Sequence, residues 1–422
     1  MTEWHESAIG ELGRVVTGKT PPAARPEAFG EDHPFVTPTD MVDQRYMVMT
    51  DRYLSADGAE LLRRLRVPAG ALMVSCIGWQ LGKVAFSTAD SFTNQQINTI
   101  IPDTSRVDPL FLYYHLRTRR EELKRLASGG TRTPILNKSR FERLTVPLPP
   151  RPSQELIATF LGSIDDLIEN NQRRVAVLEE MTRAIYREWF VRFRYPGHED
   201  VPLVGSALGP IPAGWELSTC GGELTFIGGG TPSKSEPPYW DGGDIAWYTP
   251  TDLTKTGWRY AAPSELAITG QGLAKSSARL FPAGSVMMTS RATLGVLAIT
   301  ATEATTNQGF IVILPDERWS PGFIYEWLDS KAAELSALGT GATFKEITKG
   351  SFKSFPFVVP IQSVLDDYRV ATEPLEDQVH VLERQTRSLS ALRDLLLPKL
   401  VTGQIDVSAL DLDALAEEEV GS

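Results

Sequence analysis

Only two of the 422 residues are cysteine, Cys76 and Cys220. Two thiols are too few for a disulfide framework or a cysteine-built zinc site, and a reducing cytoplasm fits that usage best. The five histidines, His5, His33, His115, His198 and His380, never fall at i, i+4. Neither a metal-binding helix motif nor a catalytic triad can be assembled from them. No apolar run approaches the roughly 18 residues that a membrane span requires. The segment after Met1 is polar and lacks the basic-then-apolar pattern of a secretory leader. The expectation is a cytoplasmic protein with no membrane partner.

Basic charge is also short, with 42 Lys and Arg against 53 Asp and Glu, a net charge of -11. The deficit is uneven. Residues 1–150 carry 19 basic and 17 acidic side chains, 151–195 carry 7 of each, 196–361 carry 11 and 16, and 362–422 carry 5 and 13. The terminal stretch DVSALDLDALAEEEVGS holds six carboxylates and no base, and such a block is expected to be a solvated, disordered tail. The body is nearly neutral, so partners of either sign stay open. A hydrophobic content of 42% is ordinary for a globular chain, and at about 150 residues per domain the length allows two or three domains.

What the sequence does contain is a duplication. TPTD occurs in FVTPTDM from Phe35 and again in WYTPTDL from Trp247, 212 residues apart. GKTP at Gly18 faces GGTP at Gly229 at 211, PAGALMVS at Pro68 faces PAGSVMMT at Pro282 at 214, and LGKVA at Leu81 faces LGVLA at Leu294 at 213. FTNQQI at Phe92 faces TTNQGF at Thr305 at 213, and FLYYHL at Phe111 faces FIYEWL at Phe323 at 212. FERLTVPLP at Phe141 faces FKSFPFVVP at Phe352 at 211. Collinear matches with so little drift mean a duplicated domain, because a solenoid unit would repeat every 20 to 50 residues or so. Each copy holds short strand-like runs: FVTPTDM, GALMVSCIG, KVAFS and INTIIP in the first, IAWYTPTDL, GSVMMTS, VLAIT and GFIVILP in the second. TPTD reads as shared framework, with Pro38 and Pro250 setting a strand-end turn and Asp40 and Asp252 capping the next segment.

Between and after the copies lie two heptad patterns. In residues 151–193 the sevens fall on Ile157, Ile164, Asn171, Leu178 and Ile185, with Leu161, Ile168, Val175, Met181 and Trp189 between them. Ser153 is the expected N-cap, and a helix from there to Val191 would be about 58 Å long. In residues 363–405 the sevens fall on Tyr368, Leu375, Leu382, Leu389 and Leu396, with Val379 and Leu392 between. Pro374 should kink or restart this helix, and Pro398 should end its regular part. Two exposed apolar stripes are best covered by each other, in an antiparallel coiled coil whose register Asn171 would fix. The fold class expected is α+β, with two duplicated domains separated by two long antiparallel coiled-coil helices in pseudo-two-fold symmetry.

Catalytic motifs are weak. SEPPYW from Ser235 contains the Pro-Pro-Tyr of amino-methyltransferases, but Glu236 replaces their Asp or Asn and no glycine-rich cofactor turn precedes it. A Pro-rich turn leading into a buried Tyr239-Trp240 pair is the better reading. IGGGTPS lacks a P-loop lysine. The stretch LFLYYHLRTRREELKRLA places Arg117, Arg119, Arg120, Lys124 and Arg125 on its polar side, where they could meet solvent or phosphate. The matched loops are rich in the side chains that contact base edges and phosphate oxygens. The candidates are Lys19, Gln44, Trp79, Gln80, Lys83, Gln95, Gln96, Arg132 and Lys138 in the first copy, and Lys234, Lys255, Arg291, Thr293, Gln308, Thr343 and Lys345 in the second.

On SQELIATFLGSIDDLIENNQRRVAVLEEMTRAIYREWFVRF at Ser153, LRDLLLPKLVTGQI at Leu392, LGPIPAGWELSTCGGEL at Leu208 and YWDGGDIAWYTPTDL at Tyr239, the chain resembles the specificity subunit of type I restriction-modification systems. The first domain departs more, with AFGEDHPFVTPTDM in place of the Tyr-Trp turn. The resemblance implies a target-recognition domain at 1–150, a spacer helix at 151–195, a second recognition domain at 196–361, a second helix at 362–405 and the tail at 406–422. It implies that each domain reads one half of a bipartite site in double-stranded DNA. The helices would set the gap and bind two methyltransferase subunits, and that complex would recruit the restriction and translocase subunits. The chain itself would not be an enzyme. S-adenosylmethionine, ATP and Mg2+ would belong to those partners. A coiled-coil scaffold that binds proteins, and a self-contained methyltransferase using Glu236 to Tyr239, stay open as alternatives. Near neutrality leads to one expectation: the isolated chain binds DNA weakly and with strong salt dependence, and a nanomolar sequence-specific complex in a salt titration without partners would contradict it.

Overall fold

The computed structural model describes residues 4–42, 44–47, 49–127, 134–339 and 345–406. Arg132, Thr343 and the acidic tail beyond Asp406 therefore lie outside the described residues. The chain forms two compact units that cut across the segments expected from the sequence: Met1–Ile168 with Ser388–Ser422, and Glu169–Arg387. Each unit thus takes part of both long helices.

In the first unit a five-stranded sheet has the order Gly13–Thr17, Ile97–Pro102, Leu72–Ser75, Val84–Ser87, Tyr46–Met47. Its pairings are antiparallel except the last. Leu72–Ser75 is buried at all four positions, which explains a continuous apolar run where a half-exposed strand would alternate. The second unit repeats the plan with the sheet Phe226–Gly228, Phe310–Ile313, Val286–Thr289, Leu297–Ile299. All eight strand-like runs contain strands. A parallel pairing joins Val36 to Thr93 in one unit and Tyr248 to Thr306 in the other. The turn at Pro26–Ala28 also has a counterpart at Pro237–Tyr239, so the first copy departs in sequence while keeping this turn. Tyr239 and Trp240 are half-buried rather than buried. The Trp240 indole donates to the Ser233 carbonyl (3.0 Å) and meets Trp247 edge-on at 5.0 Å.

The first long helix spans Arg151–Tyr186 and ends in a π-helical turn at Arg187–Val191. It begins at Arg151, so Ser153 lies within the first turn and does not cap it. The second runs unbroken over Gln362–Val401, through both Pro374 and Pro398, against the expectation of a kink and a stop. Both prolines are exposed. A mid-helix proline costs about 3 kcal/mol, and burial of the opposite face offsets this: Tyr368, Val379, Leu382, Leu397, Leu400 and Val401 are all at most 5% exposed.

Ile157, Leu161, Ile164, Ile168 and Asn171 are buried, while Leu178, Ile185, Leu375, Leu389 and Leu396 are partly buried. Two expected stripe residues are not on the packed face. Met181 is 46% and Leu392 is 43% exposed, and Thr182 and Arg393 occupy the inner face instead. Counting sevens on from Val175 lands on Thr182, and from Val379 on Thr386 and Arg393, which do lie on the packed face; Met181 and Leu392 are the apolar residues one position off that count. Within the second unit the helix segments run antiparallel: Tyr186 meets Tyr368 at 6.3 Å, and Glu179 and Glu383 line one cavity. Within the first, Arg393 donates to Asp165 at 2.8 Å, and Ile157, Leu161, Leu397 and Leu400 share one core.

Each unit ties its β-rich part to a long helix through a buried arginine. Arg45 pairs with Asp166. Arg259, 1% exposed, donates to Glu326 at 2.6 Å, lies 3.6 Å from Glu376 and sits over the Tyr325 ring at 4.3 Å. Glu383 accepts the backbone N–H groups of Arg259 (2.8 Å) and Tyr260 (2.9 Å). A Cβ at Gly322 would collide with the Glu376 carboxylate, so glycine leaves the room this cluster needs.

Burial pushes the Glu376 carboxyl up to about 7 despite Arg259, and the Glu383 carboxyl up to about 7 despite its two backbone donors. An acid whose pKa is higher folded than unfolded stabilises the fold while protonated, and that contribution is lost as pH rises through the folded value. Glu383→Gln keeps an acceptor without the charge. Its melting temperature relative to wild type should therefore rise as pH is raised from about 5 to about 8. Scanning calorimetry checks this, and a flat difference would place the titration elsewhere.

Candidate nucleic-acid interface

In the first unit four loops converge on one end of the β structure. Gly18 closes on the loop at Thr93, where a Cβ would collide with the Thr93 carbonyl, and Lys19 N–H donates to that carbonyl at 2.9 Å. The Thr20 hydroxyl donates to Gln95 Oε1 at 2.9 Å. Cys76 N–H donates to the Gln96 carbonyl (2.7 Å), Leu136 N–H to the Cys76 carbonyl (2.9 Å) and Gly78 N–H to the Pro134 carbonyl (3.0 Å). Lys83 Nζ donates to Gln80 Oε1 (3.0 Å) and to the Pro38 carbonyl (3.3 Å). Lys19, Gln80, Lys83, Gln95 and Gln96 are thereby drawn into one cluster.

The second unit builds the same end. Gly230 N–H donates to the Thr306 carbonyl at 2.8 Å, Ser290 N–H to the Gly309 carbonyl at 2.7 Å and Ile347 N–H to the Ser290 carbonyl at 3.0 Å. The Thr231 hydroxyl donates to Gln308 Oε1 at 2.7 Å. Gln308 and Arg291 belong to this cluster, and Arg291 pairs with Glu346 at 2.8 Å. Exposed Lys345 lies beside that pair, near Gly339.

The hairpin tips share their scaffold. Ser75 Oγ donates to the Gln80 carbonyl (2.5 Å) and accepts Lys83 N–H (2.9 Å), and Thr289 Oγ1 likewise donates to the Thr293 carbonyl and accepts Val296 N–H (2.9 Å). Gly82 and Gly295 both have φ near +80, at +86 and +80, and at these positions a Cβ would strain the backbone. What the tips present differs. Trp79 is 95% exposed, and the matching tip, Ser290 to Leu294, holds no aromatic residue.

TPTD does the framework job expected of it. Asp40 accepts Thr37 N–H (2.7 Å) and Asp51 N–H (2.9 Å), and Asp252 accepts Thr249 N–H (2.7 Å) and Glu265 N–H (3.0 Å). Other candidates are placed apart. Lys255 pairs with Glu265 and Lys138 with Glu142 at 3.6 Å. Gln44 and Lys234 are exposed in turns that no hydrogen bond among the described residues ties to the clusters. In the basic stretch, Arg119 pairs with Glu122 (2.6 Å), Lys124 with Glu121 (2.6 Å) and Arg117 with Asp165 (3.7 Å), so much of its charge is already matched.

Three residues near the clusters were absent from the candidates read off the sequence. Thr20 and Thr231 hold the two glutamines, and Lys349, at the first turn of Lys349–Lys353 with its Nζ over Gly228, is the counterpart of Lys138 at an offset of 211. The repeat alignment carried all three, because GKTP matches GGTP and NKS matches TKG.

The family model for the type I restriction modification DNA specificity domain matches residues 1–180 and 212–366. The MjaIX specificity subunit of a type I restriction enzyme from Methanocaldococcus jannaschii is 25% identical over 420 residues, 97% of this chain and 95% of that protein. The HindI specificity subunit of Haemophilus influenzae is 38% identical over 168 residues, covering 39% and 36%. In fold, the chain is similar to the crystal structure of a type I restriction-modification S subunit from M. genitalium, with a TM-score of 0.64 over 94% of this chain and 96% of that one at 14% identity.

Trp79 offers a separable test of the interface. A side chain so exposed contributes within about 0.5 kcal/mol to stability, whereas burying a large apolar side chain against a DNA groove is worth about 1.5–3 kcal/mol. Trp79→Ala should leave the melting temperature unchanged and weaken DNA binding by the assembled complex by roughly tenfold. Unchanged binding in fluorescence anisotropy would remove Trp79 from the interface.

Proposed function

Because the chain belongs to the type I restriction-modification DNA specificity family, whose subunits carry two target-recognition domains, we propose that each unit reads one half of a bipartite site in double-stranded DNA through its loop cluster. The observation that carries this reading is that the two clusters share a hydrogen-bonded scaffold and differ in what they expose: Lys19 and Gln96 align with the buried glycines Gly230 and Gly309, and Trp79 stands at a tip whose counterpart holds no aromatic residue. A common scaffold with different reading groups is what two unlike half-sites require.

The long helices would set the unread gap. At about 1.5 Å per residue the first is about 54 Å long, more than the roughly 34 Å of one DNA turn that separates half-sites on one face. Their exposed sides would dock two methyltransferase subunits, and the restriction and translocase subunits would join that complex. S-adenosylmethionine, Mg2+ and ATP would be held by those partners, and this chain would contribute recognition rather than catalysis. The Pro-Pro-Tyr turn supports that division, since its Pro237–Tyr239 segment packs against Gly272 as framework.

Methylome sequencing of a host expressing the chain with its methyltransferase partner tests the reading. One bipartite methylated motif is expected, and exchange of residues 1–150 for another such domain that keeps an arginine at position 45 should change one half of it only. A contiguous motif, or a change in both halves, would refute the assignment.

A further inference from the structure

The two Thr–Gln pairs are the part of the interface on which the units agree. Thr20 donates to Gln95 at 2.9 Å and Thr231 to Gln308 at 2.7 Å. Both glutamines are exposed, and both are fixed from behind in the same way. Asn94 Oδ1 accepts Gln96 N–H (3.0 Å) and Asn307 Oδ1 accepts Gly309 N–H (2.8 Å). Asn94 N–H donates to the Val36 carbonyl and Asn307 N–H to the Tyr248 carbonyl, each at 3.1 Å. The glycines at 18 and 229 press on the carbonyls of Thr93 and Thr306, where any Cβ would collide.

Stability does not account for this agreement, since a solvent-exposed hydrogen bond adds little to a fold that water can replace. Reading different bases does not account for it either, because the residues around the pairs differ between the units. The chemistry of the pair indicates a third role. The threonine hydroxyl takes one lone pair of Oε1 and fixes the plane of the amide, and neither Gln95 nor Gln308 Nε2 has a protein partner among the described residues. A fixed outward donor, placed alike in two units whose neighbouring residues differ, suits an acceptor that is present at every sequence, and a phosphate oxygen is one.

We propose that Gln95 and Gln308, each oriented by its threonine, are equivalent phosphate contacts that register each unit on the DNA backbone, while the unlike residues beside them read bases. This rests on the proposed reading of DNA by both units.

The test uses the full chain in complex with its methyltransferase subunits. Gln95→Ala and Gln308→Ala are each expected to weaken binding roughly tenfold, the effect of one hydrogen bond to a charged group. The loss should be the same on specific and unrelated DNA, with the methylated motif unchanged. Gln95→Glu keeps the size and the acceptor for Thr20 but adds a negative charge, so it should bind more weakly still at an unchanged melting temperature. A changed base preference in one half of the motif, or wild-type binding by both alanine variants, would overturn the proposal. A wild-type complex that marks no bipartite motif would instead overturn the reading on which the proposal rests.

Discussion

A recognition loop is only as well placed as the sheet that carries it, and in each unit that sheet is fixed to a long helix by a buried guanidinium. Arg45 reaches Asp166, and Arg259 reaches Glu326 and Glu376. The two arginines are counterparts: the carbonyl of Arg45 accepts Phe86 N–H and that of Arg259 accepts Ile299 N–H, both at 2.8 Å. Burial disfavours the charged form of Arg259, and the carboxylates of Glu376 and Glu326 outweigh it, so its pKa is raised. Taking charges out of water is expensive, and a hydrophobic substitute of the same volume is often no less stable. An ion pair, however, accepts one geometry where an apolar contact tolerates sliding. We read the expense as setting the angle between sheet and helix, which is the quantity a DNA-reading loop needs held.

On that base the units divide labour by position. TPTD, the Asn-centred turn and the Ser75 or Thr289 hydroxyl are repeated with the same bonds, and each of these bonds closes on the unit's own backbone. The exposed positions one residue away are free to differ. Duplication followed by divergence leaves this trace: groups that close backbone hydrogen bonds stay, because a buried unsatisfied amide costs about 1–3 kcal/mol, and groups that face solvent drift.

Much of the architecture is legible in the sequence because both of its regularities are long-range. The offset near 211 identifies the duplication, and the heptads identify the helices. The misreadings are local. Pro374 and Pro398 read as interruptions of a helix that tertiary burial holds continuous, since propensity is a weak term beside a buried face. Met181 and Leu392 are apolar residues one position off the count of sevens, which falls on Thr182 and Arg393, so an apolar pattern passes over the polar side chain at the packed position. The site is less legible than the fold. Gln95 with Thr20, and Arg45 with Asp166, are pairs separated by 75 and 121 residues, and neither partner advertises the other. Lys349 could have been found by carrying Lys138 across the repeat.

The candidate cations read off the sequence are in part already paired, which bears on how a chain with a net charge of -11 would serve DNA recognition. Arg291 pairs with Glu346, Lys138 with Glu142 and Lys255 with Glu265. Exposed pairs of this kind hold together by about 0–1 kcal/mol, so a phosphate can displace the carboxylate. The displaced carboxylate then faces the backbone unpaired, and the exchange returns little net attraction. Non-specific adhesion is weakened by the same arithmetic, since it rests on counterion release by unpaired Lys and Arg. Discrimination would then fall to neutral donors and to shape, with partner subunits, under the proposed reading, supplying the bulk attraction to the duplex.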